Sequence, residues 1–404
     1  MKILHMMTYS PEPPVYGGAL RVHHLLKQLC QNHEVTVVCF GEPEAHDQLM
    51  AAFDSPPKQV FVVPYPWTGR YRRIGQIYSR FTNMSYIQCA CYSKQMQKTI
   101  DEVLSADDFD LVISEFCMMG WYRLNTRAIK ILDAHNVEHD NFARMAEHAN
   151  TSLRKNHYLR EYKKLYNEEQ NACRKQDALF VTSDRDKTVF DALIPDLPKY
   201  IIPNGVDTSY FFPNNDQIEP YSLVFTGMMG YTPNYDGILY FLDEIFPLIL
   251  KEIPETKIYI VGNQPPLFLQ KRASENIIVT GFVDDVRPYV RRSKAYVVPL
   301  RMGGGTRLKV VEAMAMKKPV ITTGIGCEGI TVEAGKSVLI ADTPRQFADA
   351  VIDVLRDRVD HRQIAENGYE IARTGYEWSA IGQEIENILQ TLSQHKEVEI
   401  YAQQ

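Results

Sequence analysis

The segment Gly303-Gly304-Gly305-Thr306-Arg307-Leu308-Lys309-Val310-Val311-Glu312-Ala313-Met314-Ala315 places three glycines before an amphipathic helical pattern whose first turn carries two cations. The positive end of a helix macrodipole favours Asp or Glu, and each cation there costs roughly 0.3 to 1 kcal/mol at an exposed site. An anion over the helix start reverses that cost. Glycines let backbone N–H groups approach a ligand closely, and a helix N-terminus presents unsatisfied donors, so a phosphate or diphosphate fits. Glu312 borders the apolar stripe of Leu308, Val311 and Ala315, where a carboxylate needs a partner. Ribose hydroxyls are suitable partners, and a diphosphate beside a ribose describes a nucleotide sugar. A glycine-rich turn ahead of a core helix with solvated cations would have the same composition, so the rest of the chain must decide.

Short Val- and Ile-rich runs alternate with helical patterns, the rhythm of a parallel sheet wrapped by helices. Strands are predicted at 2–7, 34–40, 60–65, 110–115, 129–134, 178–182 and 199–202. A second series follows at 222–227, 257–262, 277–280, 295–299, 319–323 and 337–341. The polar stretch 208–221 between them suits a linker. At 404 residues and 45% hydrophobic content, two α/β domains with Rossmann-like parallel sheets are expected, facing an interdomain cleft. The expected division is 1–207, 208–377 and a tail 378–404. Residues 351–390 read as helical, and Tyr376-Glu377-Trp378 interrupts the pattern where the chain could cross back onto the first domain.

Ligands of open α/β sheets bind outside the carboxyl ends of the strands. Gly17 and Gly18 follow the first predicted strand, ahead of a helix expected from Leu20 to Cys30. Their amides suit a phosphate or sugar oxygen, though an ordinary turn would read alike. His135 and Asn136 end the fifth strand. His135 suits a hydrogen bond to a sugar hydroxyl or stabilisation of developing charge; equally, Asn136 suits a helix N-cap and His135 a satisfied interdomain residue. Gly227 and Asn234, at the start of the second series, join Gly303 to Glu312 in a donor pocket.

The formal net charge of -6 argues against a nucleic-acid partner. Seven scattered cysteines, mostly inside apolar runs, read as reduced thiols and place the chain in a cytosolic setting; Cys89 and Cys91 alone are close, which is no zinc signature. No metal is expected. No segment approaches a membrane-spanning length, so the chain is expected to be soluble or peripheral. Within 67–99, Arg70, Arg72, Arg73, Arg80, Lys94 and Lys98 interleave with aromatic residues and no acid. That surface suits anionic lipid, an anionic acceptor, or an ordinary solvated face.

Together these residues resemble the retaining family 4 glycosyltransferases (glycosyl transferases group 1) of GT-B fold, over nearly the whole chain. The resemblance rests on Gly17-Gly18, His135, Ile202-Pro203-Asn204-Gly205-Val206-Asp207, and Glu312-Ala313-Met314-Ala315 followed by Pro319-Val320-Ile321. It implies transfer of a sugar from a nucleotide diphosphate sugar to a saccharide, lipid-linked or small-molecule acceptor hydroxyl, with retention and without a metal or cofactor. It assigns acceptor binding to the first domain and nucleotide-sugar binding to the second. The family pairs two glutamates eight positions apart; Glu312 matches the second, and Gly304 stands where the first belongs. The family's early cations in the second domain are likewise replaced, by Met228 and the Asn234 region. Arg307 and Lys309 are expected to supply that charge from the opposite wall and, with His135, to carry catalysis. The two strings Asp108-Phe109-Asp110 and Asp184-Arg185-Asp186 read as structural rather than as a cation site. The rival functions are a nucleotide-sugar epimerase of the same fold and a non-catalytic nucleotide-sugar-binding protein.

Overall fold

A computed structural model of the chain describes residues 1–14, 17–66, 78–79, 81–147, 149, 151–214, 216–303 and 306–402. They form two compact units: Met1–Pro203 with Gly382–Gln404, and Asn204–Ile381.

The first unit holds a seven-stranded sheet in the order β3-β2-β1-β4-β5-β6-β7. Its strands are β1 (Lys2–Met7), β2 (Glu34–Phe40), β3 (Gln59–Val63), β4 (Leu111–Glu115), β5 (Ile129–Ala134), β6 (Ala178–Val181) and β7 (Lys199–Ile201), and every pairing is parallel. Helices on both faces bury these strands, which is why they read as continuous apolar runs. The strand order reverses between β1 and β4, so the carboxyl ends of those two strands flank the crevice where such sheets take ligands. At the far end of the chain the helix Trp378–Ala402 enters this unit at Gly382, where Ile385, Ile388 and Leu389 are buried. A side chain at Gly382 would meet Gln28 Oε1 at 2.8 Å, and His33 Nε2 lies 2.9 Å from Glu386 Oε1.

The second unit holds a six-stranded sheet in the order β10-β9-β8-β11-β12-β13. Its strands are β8 (Glu219–Thr226), β9 (Lys257–Val261), β10 (Ile277–Gly281), β11 (Ser293–Val298), β12 (Val320–Thr322) and β13 (Leu339–Ile340), again all parallel. Its reversal falls between β8 and β11. One core runs through it, with Phe225, Phe241, Phe246 and Phe347 among its largest buried side chains.

The chain changes unit at Pro203/Asn204, four residues before the expected 207. Val206 donates its N–H to Tyr376 O at 2.7 Å and bridges Glu377, while a side chain at Gly205 would meet the Trp378 ring at 2.6 Å. These bonds hold residues 204–207 in the second unit. The helical tail is broken at 356–360, giving Pro344–Leu355 and His361–Gly375 before the last helix. No helix among the described residues is long and apolar enough to cross a membrane.

Candidate active site

In the second unit, β8 ends at Thr226 and the chain turns through Gly227, whose φ of 152° favours glycine. Gly262, at the end of β9, comes so close that a Cβ on it would lie 1.8 Å from Gly227 O. The two strand ends are locked against each other, further tied by the Met229 N–H donating to Asn263 O at 2.8 Å.

Onto this turn comes Lys309 from the helix Leu308–Ala315. Its ammonium donates to Asn234 Oδ1 at 2.7 Å and stands 4.2 Å from the centre of the Phe225 ring. Asn234 in turn donates through Nδ2 to Met228 O at 2.9 Å, and a Cβ on Gly227 would fall 2.7 Å from Lys309 Nζ. Gly227, Asn234 and Lys309 are therefore brought together, and Lys309 makes no ion pair within 4 Å among the described residues. Burial pulls its pKa down to about 7, against the opposing pull of Glu312, and nearby Arg307 lowers it further. Burial pushes the Glu312 carboxyl up to about 7, with Lys309 opposing.

The helix starts two residues later than the glycines suggest. Arg307 is its N-cap residue, makes no capping bond through its side chain and is buried, with its guanidinium packed against Gly303, whose φ is 124°. Only Lys309 of the two cations lies in the first turn. Thr306 is half-buried, and its Oγ1 has no hydrogen-bond partner among the described residues. Gly304 and Gly305 lie outside the described residues.

Two cations and a raised carboxyl gathered at strand ends fit an anionic ligand. Rising pH removes the charge of Lys309 and adds one at Glu312, and both changes disfavour an anion. The expected result is that kcat/KM for an anionic donor falls above a pKa near 7, by about tenfold per unit where one of the two titrations limits it and up to about a hundredfold per unit where both do, since this parameter reports the free enzyme. A flat profile from pH 6 to 9 would contradict it.

In the first unit, Gly17 and Gly18 form the first turn of the helix Gly17–Asn32 rather than a loop preceding one. A Cβ on Gly18 would meet Tyr9 Oη at 2.5 Å, Phe116 Cζ at 3.3 Å and His135 Nδ1 at 3.8 Å, so Gly18 and His135 share one location. His135 is buried at the end of β5. Its ring lies 3.8 Å, centre to centre, from Phe116, which turns off β4 at a φ of 63°, a strained position for a side-chain-bearing residue.

Glu115 ends β4 fully buried, and Nε2 of both His5 and His135 donates to it at 2.5 Å. Burial alone would raise this carboxyl; the two histidines outweigh it and hold it well below its usual range. Because the carboxylate only accepts, each ring carries its proton on Nε2. His135 Nδ1 has no partner among the described residues. Behind it, Arg21 forms a bidentate pair with Asp133 at 2.8 and 2.9 Å and donates to Ile202 O and Pro203 O. Glu115, Asp133 and His135 lie close enough to hold a cation, but histidines and Arg21 already take up the carboxylates. Asn136 does not cap the next helix, Glu138–Glu147; Glu169 accepts the Glu138 and His139 N–H groups instead, at 2.9 and 2.8 Å.

His5, Glu115, Arg21 and Asp133 escaped the sequence reading. The signal was present: each ionisable strand residue interrupts an apolar run in a strand buried on both faces, where a charge needs a partner. In the two Asp-x-Asp strings, Asp110 accepts the Lys2 N–H at 2.7 Å and Asp186 accepts from Thr182 at 2.8 Å. Of the basic 67–99 stretch, 67–77 and Arg80 lie outside the described residues. In the remainder, Tyr92 stacks on Tyr122 and Lys98 pairs with Glu102.

Two units, each a parallel sheet with residues gathered at strand carboxyl ends, define the GT-B fold. Residues 15–210 match Glycosyltransferase Family 4 and residues 220–357 match Glycosyl transferases group 1. The chain belongs to the GT-B glycosyltransferases of family 4 type, enzymes that transfer sugars. It is 21% identical over 91% of its length to 94% of an uncharacterized 44.6 kDa protein in the cps region of Klebsiella pneumoniae. It is 27% identical over 48% of its length to 60% of the lipopolysaccharide core biosynthesis mannosyltransferase LpsB of Rhizobium meliloti (strain 1021). In structure it resembles Anabaena HepE in complex with UDP, with a TM-score of 0.67 and 14% identity over 97% of this chain and 100% of that one.

Proposed function

We propose that the protein moves a glycosyl group from a nucleoside diphosphate sugar to an acceptor hydroxyl with retention of anomeric configuration, in glycan biosynthesis and without a metal ion. The observation that carries this reading is the Lys309 ammonium, spanning from its helix to Asn234 and the Gly227 turn with no ion-pair partner within 4 Å among the described residues. Such an ammonium calls for an anion of the size and charge of a diphosphate. Glu312, three residues further along the helix, then takes the ribose hydroxyls, and Arg307 with the loop amides adds positive potential. The UDP bound by HepE supports a nucleotide donor; LpsB, a lipopolysaccharide core biosynthesis mannosyltransferase, supports a saccharide acceptor.

Retention needs no protein nucleophile in this reading. The acceptor attacks on the face the diphosphate leaves, and the leaving phosphate takes the acceptor proton while cations stabilise its charge. His135, its Nε2 proton held by Glu115, offers Nδ1 as acceptor for a sugar hydroxyl, beside the Gly17 and Gly18 backbone. Since Gly304 supplies no carboxylate to the donor sugar, recognition of that sugar is looser.

The test is incubation with a panel of nucleotide sugars in EDTA. Slow release of nucleoside diphosphate without acceptor, and an α-linked product from an α-linked donor by NMR, is expected. Interconversion of free nucleotide sugars would establish an epimerase instead, and binding without turnover a non-catalytic protein.

A further inference from the structure

Away from the strand carboxyl ends, the first unit carries a cavity of about 650 Å³, within the range of small-molecule sites. One wall is the outer face of the helix Ser152–Cys173, where Lys163, Asn167 and Asn171 stand at four-residue spacing and span roughly 12 Å at 1.5 Å per residue. Lys164 and Glu168 flank this row, and Lys175 closes its end, just before the amino end of β6. The opposite wall comes from Asn83, Gln88 and Trp121.

The lining is unusual in kind. Four carboxamides, each both donor and acceptor, match hydroxyl groups, while the ammonium groups of Lys163 and of Lys175, which also donates to Trp121 O at 3.1 Å, match negative charge; Lys164 is taken up by Ser79 O and by Glu161 at 3.4 Å. Glu168 does not cancel them: it accepts the Ser85 N–H at 2.6 Å, and burial pushes its carboxyl up to about 7. Trp121 and Glu168 are both more than nine-tenths buried, and Trp121 Nε1 and Glu168 Oε2 have no hydrogen-bond partner among the described residues. The lining is concave and mostly carboxamide and ammonium, which favours a hydroxyl-rich anionic ligand; the exposed Phe81, two residues before Asn83, is the kind of side chain a bilayer would meet, so vesicles are included as an arm of the test.

We infer that this cavity binds acidic saccharide, gripping a carboxylate-bearing stretch of the acceptor remote from its reacting end. The inference rests on the glycosyl-transfer reading for the word acceptor, and on the cavity alone for its ligand. Lys163 and Lys175 take the carboxylates, and Asn167, Asn171 and Asn83 take ring hydroxyls.

The probe is fluorescently labelled hexagalacturonate, with labelled maltohexaose as the neutral control, titrated into the full chain and followed by anisotropy. Hexagalacturonate is expected to bind at least tenfold more tightly than maltohexaose, and Lys163→Gln with Lys175→Gln to weaken it at least tenfold. Donor hydrolysis should be unchanged in that variant, which separates this site from the donor site and reports an intact fold. Equal affinity of the two oligosaccharides, equal affinity of wild type and variant, or loss in the variant of binding to phosphatidylglycerol vesicles rather than to hexagalacturonate would each overturn the assignment. Failure of donor turnover with hexagalacturonate binding intact would sink the proposed reaction and leave the cavity's ligand standing.

Discussion

Replacing Lys309 by Met should lower kcat/KM for the donor by about 10² to 10³, the usual effect of removing one preorganised group that stabilises developing charge. Methionine keeps the length and apolar stem of lysine, so the packing beside Phe225 survives and thermal unfolding should barely move. The companion experiment moves the charge back. Asn234 Oδ1 lies 2.7 Å from the Lys309 ammonium, so a lysine introduced at 234 in the Lys309→Met background reaches the same place from the other side. At least tenfold recovery of kcat/KM is expected. Full activity in Lys309→Met alone would show that the ammonium is packing and that the diphosphate, if any, is held elsewhere. Gly227 sets the geometry in both variants, because any side chain there would displace the ammonium.

Replacing Arg21 by Met should cost about 3 to 5 kcal/mol of stability, because it strands the fully buried Asp133 carboxylate. It also leaves Ile202 O and Pro203 O without the donor they now share. Thermal unfolding of the intact chain is the measurement. A second substitution, Asp133→Leu, should restore a large part of the loss, since removing both charges is far less harmful than removing one. A single variant no less stable than the parent would mean that water reaches Asp133 freely. The pair also braces β5 two residues before His135, with Asp133 Oδ2 3.7 Å from His135 Nε2, so the double variant should fold yet turn over slowly.

The thirteen strands among the described residues lie where apolar runs predict them, with ends displaced by no more than three residues, and the division into two sheets was equally legible. The reason is that a parallel strand buried on both faces has no polar face to blur its pattern. Helix starts were less legible. The glycines at 17–18 read as a loop but sit inside a helix, and the Gly303 segment delays its helix until Leu308. Glycine marks where backbone is unencumbered, which is true of a loop and of a helical turn crowded by Tyr9 and Phe116 alike. At the site, Lys309 and Glu312 were readable from their misplacement on a helix. The His5–Glu115–His135 arrangement was not, because its members are 110 and 20 positions apart and only the adjacency of β1, β4 and β5 in the sheet joins them. The Glu169 cap escaped for the same reason, arriving from a helix thirty residues downstream.

Because Val206 and Glu377 are neighbours, residues 204–381 leave and rejoin the rest of the polypeptide at nearly one spot. Such an arrangement is that of a guest inserted into a host, and guests with adjoining ends tolerate excision. A fragment cut at those points should fold unaided and, carrying Lys309, Arg307 and Glu312, still retain nucleoside diphosphate in equilibrium dialysis. The host, rejoined by a short glycine-serine bridge, should fold without it.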